Sequence, residues 1–305
     1  MPLTYREAQL EDAAAYCALY VIVHPYQVVT PASIRHWWTS ESPRARRRTL
    51  VVESDGAVVA AGSASLDTWT SGDGTASMSV RVHPDYRRAG IGTRVFDELI
   101  GHLRAHEVRQ VRGSSVDDPG TLAWCQARGL TRSHEERYSR LDLSDPGTLP
   151  PVPPLPAGAR TASAAEVGPE AVYPVDAAAI ADEPGDVQAD QVPVDEWLVQ
   201  VWRAPTTDLD LSTVVLIDEV PAAWTLVEAD RATGRIWAGG TGTLREYRGR
   251  GLAKVAKSVA LRRSIEAGIT VAYASNDGTN APMLAVNRWL GYRPCATQWT
   301  HVKTL

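Results

Sequence analysis

The chain has 305 residues, of which 44% are hydrophobic and 22% are charged, a composition typical of a globular protein with about two domains. Its formal net charge of −5 argues against nucleic acid as a partner, because phosphate backbones attract basic surfaces. Three scattered cysteines lack the spacing of a disulfide framework or a metal site, and they favour a reducing cytoplasm. No signal-peptide pattern opens the chain and no apolar run has the length of a bilayer, so we expect no membrane partner.

The first half of the chain alternates strand and helix patterns. Asp55 and Gly56, set between two β-rich runs, give the strongest hairpin signal in the chain. The clearest helix begins at Ile91, because apolar residues then recur at helical spacing as far as Leu103. The predicted elements are a strand at 3–8, helices at 13–20 and 31–38, a hairpin of 49–54 with 57–66, a strand at 77–82, a helix at 91–106, a strand at 108–114, a helix at 121–128 and a strand at 136–143.

A proline-rich segment separates two similar halves. Residues 144–158 contain six prolines, which favour an extended, semi-rigid linker over a helix or a central strand. We therefore predict domains at 1–144 and 159–305, joined by a linker at 145–158. The second half repeats the plan of the first and differs from it most between 162 and 205. Its predicted strands lie at 213–217, 222–229 and 236–244.

A short glycine-rich motif occurs once in each half. Residues 86–92 read YRRAGIG and residues 247–253 read YRGRGLA. Each copy follows a β-rich run and precedes an apolar helical pattern. That order points several backbone N–H groups out of the positive end of a helix dipole, where they can bind a phosphate or pyrophosphate. Gly251 follows Gly90 by 161 positions, so the two copies have the spacing of an internal duplication.

This motif resembles the acyl-CoA loop of the GCN5-related N-acetyltransferases (GNAT), whose pattern is Gln/Arg-x-x-Gly-x-Gly/Ala. Downstream, residues 126–130 and 288–292 resemble the family's segment beside the pantetheine arm, and their glycines are 162 positions apart. The resemblance covers nearly the whole chain, as two tandem domains in a mycothiol-synthase-like architecture. It implies an α/β (α+β) fold in which each domain is a mixed, mostly antiparallel sheet flanked by helices.

The resemblance implies acetyl-CoA as acyl donor and no metal. Backbone amides of both loops would bind the pyrophosphate, and a main-chain N–H at the end of the preceding strand would polarise the thioester oxygen, at about Val82 and Thr243. The cofactor-binding residues expected from this comparison are Val82, Arg87, Arg88, Ala89, Gly90, Ile91, Gly92, Thr93, Thr243, Arg248, Gly249, Arg250, Gly251, Leu252, Ala253, Lys254 and Asn280.

The chain departs from the family where the leaving thiolate would be protonated. Many members place a tyrosine in the late helix, whereas the matching positions here hold Cys125 and Asn287. A thiol can donate a proton, although a buried free cysteine more often serves packing. Asn287 can donate a hydrogen bond but is no acid at pH 7. With Asn280 and Met283 it matches the Asn-x-x-Met-x-x-x-Asn version of some tandem members.

The usual general base is also missing from the two strands that precede the loops. Neither 77–82 nor 236–244 contains a carboxylate. Glu228, on the neighbouring strand, is a substitute candidate, and an outward-facing strand carboxylate is the equal alternative. The late polar residue Asn276 completes the candidate catalytic set of Asn287, Glu228, Asn276 and Cys125.

The resemblance implies an N-acetyltransferase that moves acetyl to a primary amine of a small molecule by direct attack in a ternary complex. By analogy with mycothiol-synthase-like members, the second half is expected to be catalytic and the first to keep a CoA-shaped groove. Two alternatives stay open: a catalytically weak acyl-CoA-binding or regulatory module, and a protein N-acetyltransferase. The acidic stretch 182–186 is either a solvated loop or a surface facing a cationic acceptor. We expect a monomer or a homodimer.

Overall fold

The computed structural model describes residues 2–305. The first half contains β1 (Leu3–Glu7), α1 (Ala13–Val23), α2 (Pro31–Ser40), β2 (Arg48–Ser54), β3 (Ala57–Leu66), β4 (Thr75–Val82), α3 (Ile91–Ala105), β5 (Gln110–Val116), α4 (Pro119–Ala127) and β6 (Thr131–Asp142). The second half contains β7 (Ala159–Ser163), α5 (Ala164–Val167), α6 (Pro169–Ala181), α7 (Val194–Trp197), β8 (Thr213–Ile217), β9 (Val220–Asp230), β10 (Arg235–Thr243), α8 (Leu252–Glu266), β11 (Val271–Asp277), α9 (Ala281–Leu290) and β12 (Arg293–Thr304). Every predicted strand and helix is present. The largest shift is at β6, which begins at Thr131. The sequence predicted a start at 136, because the residues before it are polar.

The chain folds into two compact units. The first contains the chain up to Glu135 together with Gln298–Leu305, and the second contains Glu136–Thr297. These limits differ from the predicted domains, which meet in the proline-rich segment. The reason is that each unit takes one strand from the other half of the chain: the end of β12 pairs with β5, and the end of β6 pairs with β11.

The first unit is built on a sheet with the order β1-β2-β3-β4-β5, followed by residues 298–304 of β12. Neighbouring strands are antiparallel except for β4 and β5, which are parallel. Successive residues of a strand face opposite sides of the sheet. Val51 therefore packs with residues of α1 and α2, whereas Leu50 packs with Val95 of α3. Helices thus cover both faces of this sheet.

The second unit repeats this plan with the order β7-β8-β9-β10-β11, followed by residues 136–142 of β6. Here β10 and β11 form the parallel pair. Val215 packs with Val255 of α8 on one face, and Trp224 meets α6 on the other. The predicted fold class, two tandem α/β (α+β) domains built on mixed, mostly antiparallel sheets flanked by helices, is confirmed.

The helices behind the two glycine motifs are equivalent in length and place. Helices α3 and α8 have 15 residues each and begin 161 positions apart, at Ile91 and Leu252. This matches the offset that the motifs predict.

In residues 2–305, no helix combines the length and the apolar composition that a crossing of the bilayer requires.

Each sheet opens at the carboxyl ends of its parallel pair. In the described ladder, β4 pairs with β5 over residues 75–77, although β4 continues to Val82. Likewise β10 pairs with β11 over residues 235–237, although β10 continues to Thr243. Beyond three paired residues the strands separate. Each unit therefore has a notch between its two parallel strands, and the notch faces the glycine motif that follows β4 or β10.

A buried carboxylate fixes α6 to the second sheet. Asp176 is 3% exposed and accepts hydrogen bonds from Nε1 of Trp197 at 2.7 Å and from Nε1 of Trp224 at 2.9 Å. Burial raises the pKa of Asp176 to about 6, and the two indole donors act in the opposite direction. Both indole N–H groups depend on this one side chain, since neither tryptophan is exposed to water.

We expect Asp176→Ala to destabilise the protein by about 2 kcal/mol or more, because each buried indole N–H left without an acceptor costs about 1–3 kcal/mol. Urea unfolding at pH 7 measures this loss. The exposed Asp210, replaced by Ala, is the matched control and should change the free energy of unfolding by less than about 0.5 kcal/mol. Equal effects of the two substitutions would contradict the role given to Asp176.

Candidate active site

The two glycine turns lie between a strand and a helix in both units. Gly90 is the N-cap of α3 with φ 77°, and Gly251 is the N-cap of α8 with φ 78°. In the described chain neither cap uses a side chain, so the first N–H groups of both helices are available to an external acceptor. A Cβ added to either glycine would meet no atom within 4 Å, so the space in front of each turn is open.

An arginine fastens each turn to the strand before it. Arg87 Nε donates to the Val82 carbonyl at 3.2 Å, and Arg248 Nε donates to the Thr243 carbonyl at 3.0 Å. The arginine that the two motifs share therefore holds the turn against the notch. Arg248 also forms an ion pair with Asp182.

The ends of β4 and β10 present a free backbone N–H toward each notch. Leu244 N donates to Ala222 O of β9 at 2.9 Å, directly after the last residue of β10. In an antiparallel ladder, successive N–H groups point to opposite sides. The N–H of Thr243 therefore points away from β9, toward the side where β11 has separated. The bond from His83 N to Val59 O, at 2.9 Å, gives Val82 the same orientation.

In the second unit, the notch and the glycine turn open into one cavity of about 800 Å³. A bulge between Ala238 and Thr241 of β10 places Gly239 and Gly240 in its wall. Of the predicted residues, the wall includes Glu228, Thr243, Arg248, Gly249, Gly251, Leu252, Ala253, Lys254, Asn276 and Asn280. Arg250 belongs to the turn but is not part of this wall in the described structure, since its guanidinium donates to the Glu246 carbonyl.

Glu228 projects into this cavity from β9. Its side chain is half-buried, and burial raises the pKa of its carboxyl to about 7. Within the described residues, no hydrogen bond or ion pair holds the Glu228 carboxylate. Glu228 therefore lines the cavity, and the choice between a base and an outward-facing strand carboxylate stays a prediction. A carboxyl group with a pKa near neutrality can accept a proton at physiological pH.

The three asparagines near the late helix lie on different elements: Asn276 on β11, Asn280 at the N-cap of α9 and Asn287 within α9. Asn276 lines the cavity, and its Oδ1 accepts from Nδ2 of Asn287 at 2.6 Å. Asn287 is 3% exposed and lies behind Asn276, outside the cavity wall of the described structure. Asn280 caps α9, with its Oδ1 accepting from the Met283 N–H at 3.3 Å. The structure thus gives contact with the cavity to Asn276 and a supporting position to Asn287.

The acidic stretch of residues 182–186 is divided between two roles. Asp182 accepts from Arg245 Nη2 at 2.5 Å and pairs with Arg248, and hydrogen bonds from these arginines lower the pKa of its carboxyl to about 2. Glu183 and Pro184 line the cavity. Sequence reasoning left this stretch open between a solvated loop and a site surface, and the structure places its first three residues at the cavity.

The first unit has its own cavity, of about 680 Å³, in the equivalent place. Of the predicted residues, its wall includes Val82, Arg87, Arg88, Gly90, Ile91, Gly92, Thr93 and Cys125, while Ala89 lies on the turn outside the wall as described. Cys125 is 5% exposed, and burial raises the pKa of its thiol. The carboxylate in this wall, Asp118, caps α4 by accepting from the Thr121 N–H at 2.8 Å.

Lys257 is a cavity residue that sequence reasoning missed. It is 3% exposed, lies on α8 and lines the second cavity. Two signals pointed to it: lysine occurs three times in the chain, and the 161-position offset pairs Lys257 with Phe96.

Among residues 2–305, no group of three or more His, Cys, Asp or Glu side chains has an arrangement that could hold a metal ion.

Comparison with known proteins gives consistent matches. The family profile described as "Acetyltransferase (GNAT) family" matches residues 13–126. The mycothiol acetyltransferase of Saccharomonospora viridis is 26% identical over 265 residues, which is 82% of this chain and 82% of that protein.

Two solved structures are similar over nearly their whole length. A tandem GNAT protein from the clavulanic acid biosynthesis pathway superposes with a TM-score of 0.74 at 21% identity, covering 99% of this chain and 98% of that one. A GCN5-related N-acetyltransferase from Sphaerobacter thermophilus has a TM-score of 0.73 at 18% identity, with 99% and 95% covered. Both matches concern the fold, including its tandem arrangement.

Proposed function

We propose that the chain is a tandem member of the GNAT family of N-acetyltransferases and that its second unit transfers acetyl from acetyl-CoA to a primary amine of a small molecule. One observation carries this proposal: a single cavity joins the glycine turn, the notch and the Glu228 carboxylate. An anion-binding turn, a place for a thioester and a proton acceptor are the three things that direct acyl transfer needs.

The position of each residue in the second unit indicates its role in binding or catalysis. The N–H groups at the start of α8, after Gly251, bind the diphosphate of the donor. The Thr243 N–H donates to the thioester oxygen and stabilises the negative charge that develops there. Glu228 accepts the proton that the amine loses as its nitrogen bonds to the carbonyl carbon. Asn276, held by Asn287, orients the acceptor or the thioester by hydrogen bonding.

The charge of the cavity favours an amine acceptor. Glu136, Glu183, Glu228 and Asp277 contribute carboxylates to its wall. A primary amine in water is mostly an ammonium ion at neutral pH, and these carboxylates attract it. The ammonium releases one proton to solvent before attack, and Glu228 takes the second as the carbon–nitrogen bond forms.

The first unit binds acyl-CoA without turning it over. Its cavity keeps the glycine turn and the strand-end N–H of Val82, but Cys125 is buried with a raised pKa and Asp118 is used as a helix cap. Two histidines also line it, but His24 Nδ1 lies 3.1 Å from Gln298 Nε2 and His301 Nε2 lies 2.7 Å from Ser115 Oγ, so the described wall holds no free carboxylate comparable with Glu228. No disulfide links the three cysteines of the described chain, and with their scatter this supports the proposal of a cytoplasmic protein.

A thiol-release assay tests the proposed function. The protein is mixed with acetyl-CoA and a panel of small primary amines, and free thiol is measured over time, with calorimetry reporting CoA binding separately. Release that depends on a small amine supports the proposal. Tight CoA binding without release would favour a binding or regulatory module, and release with peptide N-termini or lysines alone would favour a protein N-acetyltransferase.

A further inference from the structure

The second cavity contains a buried amine without a hydrogen-bond or ion-pair partner in the described structure. Lys257 is 3% exposed and lines the cavity, and among residues 2–305 its Nζ has neither a hydrogen-bond acceptor nor an ion-pair partner. The side chain beside it is Tyr292, whose ring centroid is 5.9 Å from Nζ. Burying an unpaired ammonium is costly, so such a group is retained where a ligand or a reaction uses it.

Tyr292, beside Lys257, is a second buried polar side chain without a hydrogen-bond partner in the described structure. It is 4% exposed, and its Oη has no hydrogen-bond partner in the described structure. Burial raises the pKa of the phenol and lowers that of Lys257 to about 8. The phenol is therefore neutral at physiological pH, whereas the amine is divided between its charged and neutral forms.

The first unit shows that the fold does not require these polar groups. The 161-position offset between the two turns pairs Lys257 with Phe96, and the 162-position offset downstream pairs Tyr292 with Leu130. Phe96 and Leu130 are buried and line the first cavity, where Phe96 packs edge-on against Trp124 at 5.4 Å between ring centroids. The second unit has replaced an apolar pair by an amine and a phenol at equivalent positions.

The choice of lysine is itself informative. The chain has 31 lysines and arginines together, of which three are lysines, at positions 254, 257 and 303. Arginine remains charged at any physiological pH, whereas a buried lysine can release its proton near neutrality. Arginine is the common cation in this chain, so we would expect an arginine at position 257 if the position required only a positive charge.

We propose that Lys257 is the general acid that protonates the leaving thiolate of CoA. This rests on the proposed function and assigns the role left vacant by Asn287, which cannot be an acid. Lys257 lies about 9 Å farther along α8 than Gly251, by the 1.5 Å rise of each residue. It is thus displaced along α8 from the turn that binds the diphosphate, and it lines the same cavity as Thr243 and Glu228.

The proposed step conserves protons and electrons. The amine nitrogen bonds to the carbonyl carbon and passes a proton to Glu228, and the carbon–sulfur bond then breaks with its electron pair going to sulfur. The Lys257 ammonium gives its proton to that sulfur, so that free CoA thiol leaves. Transfer of the proton from Glu228 to Lys257 through solvent restores both groups before the next cycle.

Other titratable groups share this cavity and set the charge around Lys257. The wall contributes Glu136, Asp182, Glu183, Glu228, Tyr247, Arg248, Lys254 and Asp277, and Tyr292 lies beside Lys257. Within the described structure none of the carboxylates lies within ion-pair distance of the Lys257 amine. The amine therefore remains free to face the sulfur.

The test compares Lys257→Met with Lys257→Arg in the full-length protein by thiol release from acetyl-CoA. Wild-type kcat should fall as pH rises through about 8, because the acid loses its proton. K257M should lose at least about 100-fold in kcat, with a KM for acetyl-CoA within about threefold, and should lack this basic limb. K257R keeps the charge but not the proton transfer, so it should not restore kcat. Lys303→Met, outside the cavity, is the control and should behave as wild type.

A second readout is independent of activity. With 15N-labelled lysine the chain gives three side-chain signals, and the one missing from K257M should titrate near pH 8. Unchanged kcat in K257M, full activity in K257R, or a raised KM with unchanged kcat would each overturn the acid role while the proposed function stands. No thiol release by the wild type with any amine would overturn the proposed function and this inference together.

Discussion

Gly251→Val is expected to lower kcat/KM for acetyl-CoA by about 100-fold or more, since misplacing a binding group by about 1 Å can cost this much. Gly251 adopts φ 78°, and a side chain in this left-handed region costs roughly 1–2 kcal/mol, more for a β-branched one. The turn relieves that strain by moving the first N–H groups of α8. The new methyl groups also enter the open space in front of the turn. Thiol release at varied acetyl-CoA concentration measures the effect.

Gly90→Val is the matched comparison for this prediction. Gly90 has φ 77°, caps α3 and likewise faces open space, so the substitution applies the same strain in the first unit. It should cost far less turnover than G251V if the second unit is catalytic. Circular dichroism should show both variants folded. A large loss in G90V with little change in G251V would assign turnover to the first unit.

Local patterns predicted the elements well because each carried its own turn chemistry. The Asp55-Gly56 hairpin and the two glycine turns all depend on neighbours in sequence. The strand exchange involving β6 and β12 was missed, because pairing between residues more than 100 positions apart leaves no local signal. The predicted domain limits therefore followed the prolines and not the sheets.

The candidate site was predictable to the extent that it is made of backbone. Both glycine turns and the strand ends at Val82 and Thr243 lie where the repeat indicates. The directions of the side chains were harder to predict from the sequence. Asn287 and Asn276 are on different elements, and sequence alone does not tell which of them contacts the cavity. Lys257 has no motif, and its burial follows from the packing of α8 against the sheet.

Glu228→Gln is expected to lower kcat about 100-fold or more, because the amide cannot accept the proton of the attacking amine. Burial holds the pKa of Glu228 near 7, so wild-type kcat should rise as pH increases through about 7 and the carboxylate forms. The variant should lack this acidic limb. Thiol release from pH 5.5 to 9 measures both effects. Glu219→Gln removes an exposed carboxylate from the turn before β9 and controls for the change in net charge.

Stability gives Glu228 a test that does not depend on turnover. Its folded-state pKa is raised, so between about 4.5 and 7 the folded chain binds more protons than the unfolded chain. The contribution of Glu228 to stability is therefore present at low pH and is lost as pH rises through about 7. Glutamine has no such dependence, so E228Q should gain stability relative to wild type between pH 5 and pH 8. If urea unfolding shows parallel pH profiles for the two proteins, Glu228 is an ordinary solvated carboxylate and is not the base. If the profiles diverge while kcat is unchanged, the pKa of Glu228 is raised by burial but another group accepts the proton from the amine.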